Sequence, residues 1–544
     1  MQGLMMDRPL LVSAIADHAS KFHGDREIVS VTADNPLHRY TIRDAVSRAK
    51  QLANALEGLG LNQGDRVGTI AWNDHRHLEI YYGVSGAGFV CNTMNPRLHP
   101  TQVVFIANHA EDRVLFVDAM FLPLVAAVAE HLTTVEAIVV LTDEANMPET
   151  DLDNVHCYET LLANASADYS WPDLDENAAS SLCYTSGTTG DPKGVLYSHR
   201  STLLHAYASI APDVISVSST DCLLPVVPLF HVNAWGVPYA ALMVGAKLVL
   251  PGPKMADGET LYNLLENESV TQALGVPTVW LGLLNYCETA GKRLNKLKRT
   301  LIGGAAVPRS MIEAFQKQHD VEVRQGWGMT EMSPLGTLNA TKSGLEGLSE
   351  DEALDLATKA GRGIFGVELR IVSDDGEELP WDGVAFGALQ VRGPWVCSDY
   401  FKLSGGAGTH TDDGWFDTGD VATIDPNGYM AITDRTKDVI KSGGEWISSI
   451  DLENCAMGHP AVAEAAVIGV AHPKWTERPL LIVVRGEGQS LEKEDMMAWF
   501  DGKVATWWKP DDVIFVDELP HGATGKVKKV DLRKQFMDHL QGEG

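Results

Sequence analysis

The sequence predicts an α/β fold: a large N-terminal domain of layered sheets and helices, followed by a smaller α+β domain. The chain has 544 residues, which is too long for one small hydrophobic core. Strand and helix patterns alternate early in the chain, as in units with parallel strands. From about Ala385 glycines and turns become dense, and a compact run follows residue 435. We therefore expect domains at residues 1–436 and 437–544.

The N-terminal elements are read from hydrophobic periodicity. Residues 41–60, "TIRDAVSRAKQLANALEGLG", place apolar side chains on one helical face, with Thr41 as N-cap and Gly58 or Gly60 as the stop. Strands are expected in "DRVGTIAW", "RVLFVD" and "EAIVVL", and helices at 78–86 and in "MFLPLVAAVAEHL". This order predicts parallel strands joined by helical crossovers.

The C-terminal domain has its own alternation of patterns. Helices are expected near 450–457, over "SLEKEDMMAWFDGKV" and near 530–540. Strands are expected near 462–470, in "LLIVVR" and in "DVIFVD".

Composition narrows the function classes. A formal net charge of −30 argues against a nucleic-acid binder and against adhesion to anionic membranes. The longest apolar segment contains Pro238 and Lys247 and is too short to span a bilayer, and the N-terminus lacks a basic signal-peptide region. The seven cysteines form no C-x-x-C pair, which is typical of free thiols in a reducing cytosol. We expect a cytoplasmic protein that binds no nucleic acid and inserts into no membrane.

The stretch "YTSGTTGDPKG" (184–194) has the composition of a phosphate-binding loop. Its glycines let backbone N–H groups approach an anion, its hydroxyls donate hydrogen bonds, and Lys193 adds a positive charge. A Walker A loop needs Gly-Lys followed by Ser or Thr, whereas Lys193 follows Pro192 and precedes Gly194. A lone run of this kind would more often be a flexible surface loop.

Further motifs follow this stretch in order: "PLFHVNAWG", "GGAAVP", "QGWGMTE", "GWFDTGD", "DRTKDVIKSGGEWIS" and "ATGKVKK". Together they resemble the adenylate-forming superfamily of acyl-CoA synthetases, luciferases and peptide-synthetase adenylation domains. The resemblance covers essentially the whole chain and implies that superfamily's fold, with a mobile C-terminal domain. It implies an enzyme that joins a carboxylate to AMP, releases pyrophosphate and passes the acyl group to a thiol, with ATP, Mg²⁺ and coenzyme A required.

The resemblance also assigns a nucleotide site. The phosphate-binding residues it implies are Thr185, Ser186, Gly187, Thr188, Thr189, Gly190, Lys193 and Thr330. Those around adenine and ribose are Gly304, Ala305, Ala306, Trp327, Gly328, Met329, Asp420 and Arg435. Trp327 stands where the family usually has tyrosine, a change that keeps an aromatic face for adenine. Glu331 and Thr188 correspond to the Mg²⁺ site, where one carboxylate and substrate phosphates suit this hard ion.

The catalytic and thiol-binding positions come from the same resemblance. Lys526 matches the catalytic lysine that stabilises charge at the α-phosphate, with Glu331 beside it. Lys437 matches the hinge of the C-terminal domain. The coenzyme A segment implied by the motif comprises Lys441, Gly443, Gly444, Glu445 and Trp446.

The acyl pocket is expected around His231 and Trp235, together with Gly303, Gly304, Met329 and Pro334. Three roles remain for His231: metal ligand, general base and pocket wall. No partner ligand stands at metal spacing, and a carboxylate needs no base to act as nucleophile, so the pocket wall is favoured. Bulk at His231 and Trp235 favours a short or medium-chain acid.

The narrower resemblance is to bacterial 3-methylmercaptopropionate–CoA ligases, which act in dimethylsulfoniopropionate breakdown, and to medium-chain acyl-CoA ligases. It implies 3-methylmercaptopropionate as the acid. The alternatives are a longer-chain fatty acid–CoA ligase, a standalone adenylation enzyme that loads a carrier protein, a luciferase-like oxygenase and a non-enzymatic nucleotide sensor. A sensor would be expected to lack Lys526 or Glu331, and both are present. The oligomeric state stays open, with a homodimer as one candidate.

Overall fold

The structure of the chain, a computed structural model, describes residues 1, 3–185, 191–403, 408–442, 445–522 and 526–540, without the side chains of 445 and 446. Its strands are β1 (Glu27–Ser30), β2 (His38–Thr41), β3 (Arg66–Ile70), β4 (Val90–Thr93), β5 (Asp112–Asp118), β6 (Ala137–Leu141), β7 (Val155–Cys157), β8 (Ala179–Tyr184), β9 (Gly194–Ser198), β10 (Cys222–Pro225), β11 (Lys247–Leu250), β12 (Gln272–Gly275), β13 (Arg299–Ile302), β14 (Glu322–Gly328), β15 (Leu335–Leu338), β16 (Arg362–Gly363), β17 (Glu368–Val372), β18 (Phe386–Arg392), β19 (Phe416–Ile424), β20 (Met430–Arg435), β21 (Ile440–Ser442), β22 (Glu445–Ile447), β23 (Val462–His472), β24 (Thr476–Arg485) and β25 (Asp512–Val516).

The α-helices join these strands and are given by their ranges. They are Val12–His23, Ile42–Gly58, His75–Gly86, Pro100–Ala110, Leu122–Val128, Tyr158–Ala163, His199–Ile210, Val237–Val244, Gly258–Asn267, Pro277–Thr289, Arg309–Glu313, Glu350–Ala357, Ser449–Met457, Lys493–Trp499 and Lys529–Phe536. Among the described residues, no helix combines the length and apolarity needed to cross a bilayer.

Two large sheets carry the N-terminal part. One has seven strands in the order β7-β6-β5-β3-β4-β8-β9, parallel except for the β8–β9 pair. The other has nine strands in the order β16-β15-β14-β13-β12-β10-β11-β1-β2, and it is parallel from β14 to β1. The predicted parallel strands are confirmed, and with them the mixed α/β fold class.

The largest hydrophobic core lies between these sheets. It joins Val67 and Phe116 of the seven-stranded sheet to Leu223 and Leu274 of the nine-stranded sheet. The helices between them pack on one another, with Val12–His23, Ile42–Gly58, His75–Gly86, His199–Ile210 and Val237–Val244 in mutual contact. Burial on both faces explains why the strands read as continuous apolar runs.

The helix Ile42–Gly58 begins where its cap residue predicts. The Thr41 hydroxyl accepts a hydrogen bond from the Asp44 backbone N–H, and the Asp44 carboxylate accepts one from the Thr41 N–H. This reciprocal pair satisfies two of the N–H groups that a helix start leaves without partners. Thr41 as N-cap is therefore confirmed.

Two predicted helices are shorter in the structure. The segment 120–132 forms an α-helix only over Leu122–Val128, flanked by 3₁₀ turns, with Pro123 in its first turn. Proline has no N–H and starts a helix more readily than it continues one. The segment 490–504 is helical only over Lys493–Trp499, and Gly502 beyond it has a φ of +73°.

Two smaller sheets complete the described chain. Strands β17 to β20 form a four-stranded antiparallel meander. Strands β21 to β25 form a five-stranded sheet, covered by the helices Ser449–Met457 and Lys529–Phe536. The meander ends at Arg435, directly before the five-stranded sheet begins at Ile440.

Candidate active site

The candidate residues converge at the carboxyl edge of the nine-stranded sheet. Parallel strands β10, β12 and β13 end there and are followed by the segments that hold His231 and Gly303, while β14 ends there with Trp327 and Gly328 as its last residues. The β8–β9 connection contributes Thr185 and Lys193. Ligand sites of open parallel sheets form at this edge, because loops from neighbouring strands meet there.

The two ends of the phosphate-binding segment are joined by hydrogen bonds. The Thr185 N–H donates to the Lys193 carbonyl at 2.9 Å, and the Lys193 N–H donates to the Thr185 hydroxyl at 3.2 Å. The Lys193 ammonium lies 4.9 Å from the ring centre of Tyr400. The predicted residues Ser186, Gly187, Thr188, Thr189 and Gly190 lie outside the described residues.

Glu331 is a buried carboxylate held in one orientation. The Tyr400 hydroxyl donates to its Oε1 at 2.7 Å, and its carbonyl accepts from the Cys397 N–H at 2.7 Å. The carbonyl of the neighbouring Thr330 accepts from the Tyr197 hydroxyl at 2.5 Å. Burial raises the pKa of Glu331, and the Tyr400 hydrogen bond opposes that rise. The carboxylate is therefore presented in a fixed direction, at an energetic cost that a bound cation would reduce.

Glu331 fits the role of a single carboxylate ligand in a magnesium site. Within the described part of the chain, no group of three His, Cys, Asp or Glu side chains could enclose a metal. Mg²⁺ is commonly held by one or two carboxylates together with substrate phosphates and water. A single oriented carboxylate next to the phosphate-binding segment matches that donor set, whereas a preformed protein cage would not be expected.

Asp420 lies between an indole and a guanidinium. The Trp327 Nε1–H donates to Asp420 Oδ2 at 2.9 Å, and Arg435 Nε lies 3.4 Å from Asp420 Oδ1. Asp420 and Arg435 are opposite one another on β19 and β20, which explains the pairing. Burial raises the pKa of Asp420 against the lowering effect of these two neighbours. The hydrogen bond to Asp420 therefore depends on the indole N–H of Trp327, and a phenylalanine at this position would supply no such donor.

The segment from Gly328 to Pro334 is a tight turn that leaves no room for side chains on its inner side. A Cβ at Gly328 would lie 2.1 Å from the Pro334 carbonyl oxygen, which accepts a hydrogen bond from the Met329 N–H at 3.1 Å. The turn brings the predicted residues Met329 and Pro334 together beside Glu331.

Trp235 and Gly303 meet at the end of β13. A Cβ at Gly303 would lie 3.2 Å from Trp235 Cη2 and 2.9 Å from the Gly326 carbonyl oxygen. Gly304 has a φ of +82°, and Gly304 and Ala305 are exposed while Ala306 is half-buried. Among these small residues, Gly303 is the one against which the indole lies.

His231 begins the segment that leads to Trp235 and is partly buried. Burial, with a contribution from the charge of Lys526, lowers the pKa of His231 to about 4. The ring is uncharged near neutral pH, which suits a pocket wall better than a proton donor.

Lys526, from the C-terminal part of the chain, is under the electrostatic influence of several predicted nucleotide-site residues. Its residue surface is exposed, but desolvation of the ammonium and the charge of Arg435 lower the pKa of Lys526 to about 8. Asp420 and Glu331 act in the opposite direction. These interactions place the Lys526 ammonium among the residues expected to hold ATP.

The segment predicted to bind the thiol forms the edge of the five-stranded sheet. Lys441 is paired with Trp446 in the β21–β22 register, and the Lys441 N–H donates to Glu477 Oε2 at 2.9 Å. Burial lowers the pKa of the predicted hinge residue Lys437. Gly443, Gly444 and the side chains of Glu445 and Trp446 lie outside the described residues.

Two family models match this chain. The AMP-binding enzyme model matches residues 15–401, and the model of the AMP-binding enzyme C-terminal domain matches residues 451–526. The chain belongs to the AMP-binding enzyme family. It is an adenylate-forming enzyme of the acyl-CoA synthetase class, as the resemblance implied.

Full-length relatives of this AMP-binding enzyme are CoA ligases. A 3-methylmercaptopropionyl-CoA ligase of Ruegeria lacuscaerulensis is 54% identical over 542 residues, covering 100% of both chains. A medium-chain-fatty-acid–CoA ligase of Ectopseudomonas oleovorans is 50% identical, covering 99% of this chain and 98% of its own. The crystal structure of ATP-bound MatB from Rhodopseudomonas palustris matches with a TM-score of 0.81 and 26% identity, over 97% of this chain and 99% of that one.

Within this AMP-binding enzyme, two functional contacts were missed by sequence reasoning. Tyr400 holds Glu331, and Tyr197 holds the Thr330 carbonyl. The two tyrosines lie about 70 and 130 residues from their partners in sequence. Nothing in the local sequence links residues that are this far apart. Tyr400 does stand just before the glycine-rich segment 404–407.

Proposed function

We propose that this enzyme ligates a short or medium-chain carboxylic acid to coenzyme A, with 3-methylmercaptopropionate as the best candidate. The observation that carries the proposal is the position of Lys526, whose pKa responds to Arg435, Asp420 and Glu331. This electrostatic interaction supports the proposal that a lysine from the C-terminal part of the chain acts together with the residues proposed to bind the nucleotide. Identities of 54% and 50% to ligases named for a methylthio-propionate and for medium-chain fatty acids support the substrate class.

In the first half-reaction an oxygen of the acid's carboxylate forms a bond to the α-phosphorus of ATP. The bond from that phosphorus to the bridging oxygen of pyrophosphate breaks, and pyrophosphate leaves with the electron pair. An anion approaches an anion, so positive charge at the α-phosphate lowers the barrier most. We propose that the Lys526 ammonium supplies this charge, and its electrostatic interaction with Arg435, which pairs with Asp420, supports that role.

Glu331 and Thr188 are the residues we propose for Mg²⁺. When bound, the ion neutralises phosphate charge and fixes the geometry of the triphosphate. Tyr400 orients Glu331 for this role by donating a hydrogen bond to Oε1.

In the second half-reaction the sulfur of coenzyme A forms a bond to the acyl carbon. The mixed-anhydride C–O bond breaks, AMP leaves with the electron pair, and the thiol proton passes to solvent. We propose that Lys441, Gly443, Gly444, Glu445 and Trp446 border the path of the thiol. The position of β21–β22 at the edge of its sheet, beginning three residues after the predicted hinge at Lys437, supports this role.

The length of the acid is proposed to depend on Trp235. Its ring lies against Gly303 at the carboxyl edge of the nine-stranded sheet. A large ring at the end of a pocket leaves room for a short acyl chain, and each methylene that could be buried beyond it is worth about 0.8 kcal/mol.

The experiment is an acid panel in which acid-dependent and CoA-dependent AMP formation is measured. The panel contains 3-methylmercaptopropionate, straight-chain acids from propionate to dodecanoate, and an aromatic acid. We expect the highest kcat/KM for 3-methylmercaptopropionate or an acid of similar length. AMP formation with a phosphopantetheinylated carrier protein but not with coenzyme A would instead identify a carrier-loading enzyme.

The Lys526→Ala variant tests the role of Lys526 in the same assay. It should reduce acid-dependent pyrophosphate release by about a hundredfold or more, because one preorganised charge at the reacting phosphate is lost. ATP binding should persist, since Asp420 and Lys193 remain. Pyrophosphate release near the parent rate would contradict the role of Lys526.

A homodimer and a cytoplasmic location are further proposals. All seven cysteines lie among the described residues as free thiols, which supports a reducing compartment. Light scattering of the purified protein and fractionation of the source cells test the two points.

A further inference from the structure

Residues 232–235 adopt an unusual left-handed turn. The φ angles of Val232, Asn233, Ala234 and Trp235 are +46°, +51°, +46° and +57°, and Gly236 follows at +75°. L-amino acids avoid this region, β-branched residues such as valine most strongly, and four consecutive non-glycine residues rarely occupy it. Such a conformation persists only where surrounding contacts determine it.

Asn233 supplies those contacts from inside the turn. Its side chain is 3% exposed. Its Nδ2 donates to the Ser181 hydroxyl at 2.9 Å, and its Oδ1 accepts from the Cys183 thiol at 3.4 Å. The Tyr81 hydroxyl shares its single proton between Asn233 Oδ1, at 3.1 Å, and the Leu229 carbonyl, which lies closer. Both ends of the amide are thus bound to the helix His75–Gly86 and to β8. Asparagine also tolerates the left-handed region better than other non-glycine residues.

The chain that leads into the turn is held by a second asparagine. Asn73 Nδ2 donates to the carbonyls of Pro225 and Val227 at 3.0 and 2.8 Å, and its Oδ1 accepts from the Leu229 N–H at 2.6 Å. Relaxation of residues 232–235 would therefore move the turn itself rather than the segment before it.

The turn decides where Trp235 lies. At present the Trp235 indole rests near Gly303, at the 3.2 Å separation from the Gly303 Cβ position described above. The same four residues in a right-handed conformation would direct the indole elsewhere, because reversing the sign of φ changes the direction of each Cα–Cβ bond relative to the chain.

We propose that Asn233 is the positioning residue that sets acyl-length specificity: its hydrogen bonds to Ser181, Tyr81 and Cys183 hold the left-handed turn that places Trp235 against Gly303. This inference rests on the proposed function, since it takes the Trp235 surface as the wall of the acid pocket. Asn233 does not touch the acid; it acts through Trp235.

The test begins with Asn233→Ala and the straight-chain acid panel. We expect the ratio of kcat/KM between short and long acids to fall by about tenfold, the discrimination that roughly one methylene provides in an apolar pocket. The KM for the acid should change while the KM for ATP stays near the parent value, which a general loss of folding would not produce. Ala234→Gly in the Asn233→Ala background should restore part of the parent ratio, because glycine accepts a positive φ.

A double-mutant cycle separates action through Trp235 from other effects. In a Trp235→Ala background, Asn233→Ala should cause no further change in the acid profile. Additive changes would overturn the proposal. Tyr82→Phe is the matched control, since the Tyr82 hydroxyl is buried and donates to the Pro238 carbonyl at 3.0 Å, just beyond the turn. It should lower the Tm without changing the acid profile.

The activity of the parent enzyme distinguishes failure of this inference from failure of the proposed function. If the parent forms acyl-CoA with a clear length optimum and the Asn233→Ala profile matches it, this inference is wrong and the proposed function stands. If the parent forms no acyl-CoA from any acid, the proposed function is wrong, and this inference falls with it. Should Asn233→Ala fail to fold, Asn233→Leu keeps a side chain of similar size while removing the same hydrogen bonds, and an unchanged profile in that variant would also overturn the proposal.

Discussion

Burial moves the pKa of Lys526 and that of Glu331 toward their uncharged forms. The pKa of Lys526 is lowered to about 8, and that of Glu331 is raised. Each shift is a cost of withdrawing a charge from water, and each would be offset by the opposite charge of a substrate. The triphosphate would stabilise the ammonium, and a cation would stabilise the carboxylate. Residues with such shifts beside one another are typical of functional sites.

A pH profile tests the charge on Lys526. The ammonium is charged below its pKa, so kcat/KM for acid-dependent pyrophosphate release should be sustained at neutral pH and fall as pH rises through about 8. In Lys526→Arg the guanidinium stays charged over this range, so the alkaline fall should disappear from whatever activity remains. If kcat/KM of Lys526→Arg falls over the same pH range, the fall must come from the titration of a group other than Lys526.

Tyr400→Phe tests the support of Glu331. Without the hydroxyl that donates to Oε1, the carboxylate is harder to keep ionised, and affinity for Mg²⁺ should drop about tenfold to a hundredfold. The deficit should grow as the pH is lowered, because protons compete for a carboxylate whose pKa has risen. Titration of pyrophosphate release with Mg²⁺ at two pH values measures it. Tyr429→Phe, which removes a buried hydroxyl bonded to the Ala340 carbonyl at 2.8 Å, should leave the Mg²⁺ dependence unchanged.

At the scale of elements, close approach of backbone segments shapes the acid pocket. Strand β13 ends at Ile302, and the next residue, Gly303, touches the Gly326 carbonyl and the Trp235 ring at once. The turn that holds Trp235 comes from the segment after β10, so the pocket depends on two strands, β10 and β13, that are separated by β12 and end at the same edge. Strand order therefore fixes which loops can meet.

Gly303→Ala tests this approach. The new methyl group would lie 2.9 Å from the Gly326 oxygen and 3.2 Å from the Trp235 ring, so the backbone or the indole must move. We expect a loss of stability of about 1–3 kcal/mol and a higher KM for the acid. Calorimetry and steady-state kinetics measure the two effects. Gly282→Ala is the control, because its Cβ would meet only the Ala256 carbonyl at 4.0 Å within a helix, and it should be neutral or stabilising.

At the scale of the whole molecule, two hydrogen bonds join the segments on either side of the predicted domain boundary. The Ser448 hydroxyl donates to the Thr433 carbonyl at 2.6 Å, and the Ser449 N–H donates to Asp434 Oδ2 at 2.7 Å. These bonds join β20 to the start of the helix Ser449–Met457. A turn of the C-terminal part about Lys437 would have to break them.

Lys437→Pro tests whether the chain turns at this residue. Proline fixes φ near −65° and restricts Thr436 before it, so rotation between two orientations should be blocked. Because the charges of Arg435, Asp420 and Glu331 already act on Lys526, we expect single-turnover pyrophosphate release to persist and acyl-CoA formation from preformed acyl-adenylate to collapse. The opposite split would also indicate a hinge. An equal loss in both half-reactions would indicate destabilisation, and no loss would place the pivot elsewhere; the boundary at 436/437 stays a prediction until then.

Local sequence signals by themselves determined several helices and strands, the family and some of the candidate site residues. Periodicity and capping identified the helix Ile42–Gly58 and the parallel strands, because both depend on neighbours a few residues apart. The spaced motifs identified the family, and they named Lys526 and Glu331, because such motifs are written in consecutive residues. Helix ends near 490–504 were less accurate, since tertiary packing decides how far a helix continues.

Contacts between distant segments were decided only by the tertiary structure. The sequence suggested Trp327 as an adenine platform, but its hydrogen bond to Asp420 joins β14 to β19 across more than ninety residues. Asn233 reads as an ordinary residue in "FHVNAWG" until the fold surrounds it with Tyr81, Ser181 and Cys183. A left-handed turn is unfavourable in isolation, so no local propensity predicts it. It forms because the buried polar partners that satisfy Asn233 are assembled by the packing of a helix against a sheet.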